Sequence, residues 1–163
     1  MANHPNLIKN PNATVTSVDE FNALDSSVTT IIIDNGVSEP EFTQLDLTRF
    51  TQLKSLVIGQ RSFAYVETVN ITGLSALESI EIGESSFTNW YSPDSHPNRR
   101  VYVKDCPKLQ SLRIGGYSFL DYSVLIIENV DALESIEFGE VEGESYSFNS
   151  ASLELKSILI HVE

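Results

Sequence analysis

The sequence predicts a mainly β solenoid of about five coils, with stacked parallel strands and a short N-terminal capping helix. Three observations carry that prediction. A seven-residue segment recurs along the chain. A Ser-Phe pair follows each copy. A short alternating apolar segment ends six residues before each copy.

The recurring segment is Leu53-Lys54-Ser55-Leu56-Val57-Ile58-Gly59. It returns as Leu77-Glu78-Ser79-Ile80-Glu81-Ile82-Gly83, Leu109-Gln110-Ser111-Leu112-Arg113-Ile114-Gly115 and Leu133-Glu134-Ser135-Ile136-Glu137-Phe138-Gly139. The leading leucines lie 24, 32 and 24 residues apart, and a looser copy, Val28 to Asp34, begins 25 residues before Leu53. The Ser-Phe pairs are Ser62-Phe63, Ser86-Phe87, Ser118-Phe119 and Ser147-Phe148; an insertion around Val141 to Glu144 delays the last. The alternating segments are Leu45-Asp46-Leu47, Val69-Asn70-Ile71, Val101-Tyr102-Val103 and Leu125-Ile126-Ile127. Phe50, Leu74, Cys106 and Val130 follow them three places later.

One such unit cannot bury its apolar side alone. Stacked units pair each strand with its copy in the next coil, about 4.8 Å away. Period-two alternation then turns Leu56/Ile58, Ile80/Ile82, Leu112/Ile114 and Ile136/Phe138 inward, with Val69/Ile71, Val101/Val103 and Leu125/Ile127 facing them. The phenylalanines are expected to form an internal ladder. The glycines stand where the chain turns, which suggests positive φ.

The chain length suits one domain, read as a tail or irregular arm over 1–14, an N-terminal cap over 15–27 and repeats over 28–163. Within the cap, Ser17 to Leu24 predicts a short helix, with Ser17 as N-cap and Glu20 completing a capping box. Val18, Phe21 and Leu24 share one side at helical spacing. Near the other end, Leu155 to Ile160 mimics the main segment. The step from Phe148 to Leu153 matches that from Phe119 to Leu125 better, so Leu153 and Leu155 are placed in the second strand row and Ile158 against Val130. The chain's last strand is apolar and has no evident cap, so this edge is expected to pair with another chain, giving a homo-oligomer.

The pattern Leu-x-Ser-Ile-x-Ile-Gly-x-x-Ser-Phe, from Val28 onward, resembles the BspA-like class of leucine-rich repeats, and more closely the short repeats of unicellular eukaryotes. The resemblance implies a leucine-rich-repeat solenoid and says almost nothing about a ligand. The Ile-Pro step and the cysteine per repeat of the bacterial pattern do not recur here.

A formal charge of -13 argues against nucleic acid or an anionic membrane as the main partner, since both need a positive footprint. One cysteine, Cys106, permits no intrachain disulfide and fits a reducing, cytoplasmic location. It occupies an inward repeat position, as a buried thiol. Met1 to Ala13 holds no apolar run of signal-peptide length, and nothing approaches the roughly 20 apolar residues of a membrane span. The sequons at Asn12 and Asn70 matter only in a secreted chain.

Candidate chemistry is sparse. His4, His96 and His161 lie too far apart for a zinc motif. Gly115-Gly116 alone makes no phosphate loop, and no cofactor is implied. The outward positions of the main strands give a hydroxyl row (Thr30, Ser55, Ser79, Ser111, Ser135) and a mixed row (Ile32, Val57, Glu81, Arg113, Glu137). Stacking puts Arg113 between two carboxylates about 9–10 Å apart, near the upper separation of an inverting glycosidase pair. The intervening guanidinium is wrong for the general acid such a pair needs. A surface ladder that fixes register is the better reading.

The segment from Thr88 to Arg100 is eight residues longer than its counterpart after Phe63. It holds Trp90, Tyr91, His96, Arg99 and Arg100. Insertions in repeat proteins often carry recognition, and Trp, Tyr and Arg are common binding hot spots. They could equally pack down as a lid, with the arginines offsetting the acidic surface. The sequence therefore predicts a non-enzymatic scaffold that binds a protein through Trp90, Tyr91, His96, Arg99, Arg100, Glu81, Arg113 and Glu137. A carbohydrate-binding or glycan-active solenoid, with Trp90 and Tyr91 beside Glu81, is the alternative. A structural protein that self-associates through its strand edge is another.

Overall fold

A computed structural model describes residues 11–90, 98–139, 146–149 and 151–156. The elements run β1 (Asn12–Val15), α1 (Val18–Asn22), β2 (Thr30–Ile33), β3 (Gln44–Asp46), β4 (Ser55–Ile58), β5 (Thr68–Thr72), β6 (Ser79–Ile82), β7 (Arg100–Lys104), β8 (Ser111–Ile114), β9 (Val124–Glu128), β10 (Ser135–Phe138) and β11 (Ser152–Lys156). Apart from β1 and β2, strands successive in the chain do not pair with each other. They form two parallel sheets, a six-stranded one ordered β1-β2-β4-β6-β8-β10 and a five-stranded one ordered β11-β9-β7-β5-β3. The protein is a parallel β-solenoid, and each coil from β2 to β11 gives one strand to each sheet.

Register follows the repeat. Leu56 pairs with Ile31 and Ile80, and Ile80 with Leu112, so each coil places the same position over its copy. The inward aliphatics are almost fully buried: Ile31, Leu56, Ile80 and Leu112 in one sheet; Val69, Val101 and Leu125 in the other. Burial on this scale contributes about 1.5–3 kcal/mol per side chain.

The Ser-Phe pair does two jobs at the corner between the sheets. Phe63, Phe87, Phe119 and Phe148 stack with ring centroids 5.5, 4.5 and 4.7 Å apart, and Phe42 extends the ladder at 5.6 Å. Each preceding serine donates to a carbonyl of an earlier coil: Ser86 to Gly59 at 2.7 Å, Ser118 to Gly83 at 2.9 Å, Ser147 to Gly115 at 2.9 Å. The Ser86 and Ser118 hydroxyls also accept from the Ser62 and Ser86 backbone N–H groups. The polar groups of a buried corner are thereby satisfied from coil to coil.

The repeat glycines work differently from the expectation. Gly59, Gly83 and Gly115 are not among the residues with positive φ; only Gly139 of the series is, at 71°. A Cβ on Gly83 would come within 2.7 Å of the Gln60 backbone nitrogen, and one on Gly115 within 2.5 Å of the Glu84 nitrogen. Close approach of neighbouring coils, rather than backbone handedness, requires glycine there. The left-handed positions fall two and four residues later, on Arg61, Ser85 and Tyr117 and on Phe63, Phe87 and Phe119.

At the N-terminal end the Ser17 hydroxyl accepts from the Glu20 N–H and caps α1, while the Glu20 carboxylate accepts from the Thr16 N–H at 2.7 Å. That hydrogen bond lowers the Glu20 pKa. Phe21 leaves α1 at the head of the ring ladder, 5.9 Å from Phe42 and Phe50. Arg49 closes the helix by donating to the Phe21 and Leu24 carbonyls, with its guanidinium 4.3 Å from the Phe50 ring centre. Residues 12–14, expected in a tail or irregular arm, instead form β1 together with Val15 and pair Ala13 with Ile31. That strand lies outside any repeat, so periodicity carried no sign of it.

At the other end β11 pairs with β9, setting Leu153 against Leu125 and Leu155 against Ile127, as the spacing from Phe148 predicts. Ile158 lies outside the described residues. Among the described residues no helix is long and apolar enough to cross a membrane.

Candidate functional site

The outward face of the six-stranded sheet carries both predicted rows. Ser55, Ser79 and Ser111 align across β4, β6 and β8, and the Ser79 hydroxyl donates to that of Ser55 at 3.2 Å. Beside them Val57, Glu81, Arg113 and Glu137 stand in register. Arg113 meets Glu137 at 3.7 Å, with both side chains about 60% exposed. At that exposure the pair contributes under about 1 kcal/mol.

Where this face meets the corner after the strands, the surface dips into a groove of about 360 Å³. Glu81, Arg113, Glu84, Gly116 and Tyr117 line it. The residue after each repeat glycine is Gln60, then Glu84, then Gly116, then Glu140, which lies outside the described residues. Gly116 lacks positive φ, and a Cβ built on it meets nothing within 4 Å. The missing side chain therefore leaves a notch beside Glu84 in the lining of the groove. Tyr117 forms one wall of the notch and continues into an aromatic ledge. Trp90 lies 6.1 Å from Tyr117 on one side, and Tyr146 lies 5.5 Å from it on the other. Trp90 is 55% exposed. Trp90 and the strand rows are thus parts of one surface, joined through Tyr117.

Sequence reasoning did not find Tyr117. The available signal was its row: Arg61 and Ser85 precede it, so it is the first aromatic there, immediately after the paired glycines.

The arginines of the insertion go elsewhere. Arg99 was expected at the surface; it is instead buried, with its Nη1 2.6 Å from an Asp121 oxygen. Its Nη2 donates to the Ala64 carbonyl, and its guanidinium lies 5.7 Å from the Tyr122 ring centre. Tyr122 is fully buried and donates its hydroxyl to the Val66 carbonyl. Burial drives the Tyr122 pKa well up. Arg99 closes the base of the insertion onto the previous coil. Arg100 is exposed but opens β7, in register with Thr68 and Val124 of the other sheet, so it does not join Trp90 and Glu81. Tyr91 and His96 lie outside the described residues.

Cys106 is fully buried, with its thiol 3.2 Å from the Lys104 carbonyl, and burial pushes its pKa up. Among the described residues no group of three or more His, Cys, Asp or Glu side chains is placed to hold a metal ion. No protein-family model, curated protein or solved structure matches the chain.

Proposed function

We propose that the protein is a non-enzymatic interaction module that binds a protein partner on the outward face of the six-stranded sheet. The observation that carries this reading is the continuity of that face with the Tyr117 groove and the exposed Trp90 ring. Aromatic anchors beside a polar, partly charged strand face are the ingredients of an interface with a desolvated centre and a wet rim. The leucine-rich-repeat assignment belongs to the same reading and rests on the Leu-x-Ser-Ile-x-Ile-Gly spacing. A cytoplasmic location rests on the single buried thiol.

The test is affinity capture from the source lysate with the wild-type chain and with the double variant Glu81→Ala/Arg113→Ala, whose sites are exposed. A defined polypeptide held by the wild type and lost by the variant is the expected result. Equal capture by both, or specific signals on a glycan array, would replace this reading.

A second reading has its own observation. Phe138, Leu153 and Leu155, on β10 and β11, are 39%, 51% and 60% exposed. We propose that the β10–β11 end self-associates. Light scattering across a concentration series should then give a rising mass that Leu155→Lys keeps at the monomer value; a constant wild-type mass would refute it.

A further inference from the structure

Resting on the reading of this face as a protein-binding surface, we propose that the Gly116 notch takes an arginine side chain of the bound polypeptide, held at the mouth by Glu81 and Glu84 and flanked by Tyr117. Four observations support this occupant. The notch lies beside Glu84 where the groove lining lacks a side chain, and it is open above Gly116. Among the described residues no ion pair engages the Glu81 or Glu84 carboxylate, whereas Arg113 is turned to Glu137. Two carboxylates, Glu81 and Glu84, line the groove against one guanidinium, Arg113, which is already turned to Glu137, so a cationic group is attracted and an anionic one repelled. Tyr117 supplies a ring against which a planar guanidinium can lie, a contact a compact ammonium makes less well. A glycan hydroxyl would satisfy the polar groups but leave the excess negative charge unmatched.

The experiment is selection of binders from a random-peptide display library against the full chain, followed by calorimetric titration of the enriched peptides. We expect the peptides to share an arginine at a fixed place, and its replacement by citrulline to weaken binding about tenfold or more, the scale of a charge-assisted contact. Gly116→Leu, which fills the notch without a backbone penalty, should weaken it as much, and Glu84→Gln should also weaken it. The remote, exposed Glu41→Gln should not, which separates a local contact from general attraction to an acidic protein. Peptides without a fixed arginine that lose binding in Glu81→Ala/Arg113→Ala but not in Gly116→Leu or Glu84→Gln would overturn the notch and leave the face standing. No enriched peptide, or binding indifferent to all of these variants, would overturn both.

Discussion

Arg99 and Asp121 face each other at 2.6 Å inside the solenoid, with 5% and 1% of their side chains exposed. The pair ties the far end of the 88–100 insertion to the coil that follows it, while Thr88 at the near end donates to the Tyr117 carbonyl at 2.7 Å. Both ends of the insertion are therefore fixed, which positions Trp90 against Tyr117.

Removing one member of this pair leaves the other charge buried. Asp121→Ala is expected to destabilise the fold by about 3–5 kcal/mol in urea unfolding. Arg99→Met/Asp121→Leu removes both charges and should recover most of that loss. If the single and double variants unfold alike, the loss reflects packing and not the stranded guanidinium.

The two serine rows should respond in opposite ways. Ser86 donates to the Gly59 carbonyl and accepts from the Ser62 N–H in a buried corner, so Ser86→Ala should cost about 1–3 kcal/mol. Ser79 is half-buried on the outward face, and Ser79→Ala should change stability by less than about 0.5 kcal/mol. Paired denaturation curves check the contrast.

Burial raises the pKa values of Cys106 and Tyr122 above their ordinary 9.0 and 10.0. For an acid whose folded value is raised, the stabilising contribution is present below the unfolded value and is lost as pH climbs through the folded one. Stability should therefore fall on the alkaline side from about pH 9 upward. Tyr122→Phe should flatten the upper part of that fall. Cys106 should alkylate slowly in the native state at pH 8 and rapidly in urea; fast native labelling would contradict its burial.

The repeat made the solenoid legible. Period two assigned Leu56, Ile80 and Leu112 to the interior, and stacking put Glu81, Arg113 and Glu137 in register before any coordinates. What escaped lies where the period breaks or where two coils meet. β1 has no repeat partner in sequence. Gly83 reads as a turn residue until the neighbouring coil is set against it. Arg99 reads as a surface charge because its partner Asp121 is 22 residues away, in a segment without a motif. Tyr117 acquires meaning only when stacking brings Trp90 and Tyr146 to its sides.

The claim that the outward face of the six-stranded sheet is the binding surface is tested most directly by site-specific photocrosslinking in the source lysate. A photoreactive residue replaces either Arg113, on that face, or Tyr102, on the outward face of the opposite sheet. The account predicts that one partner protein is labelled from position 113, not from position 102, and that Trp90→Ala reduces the labelling. Labelling of the partner from position 102 alone would contradict it.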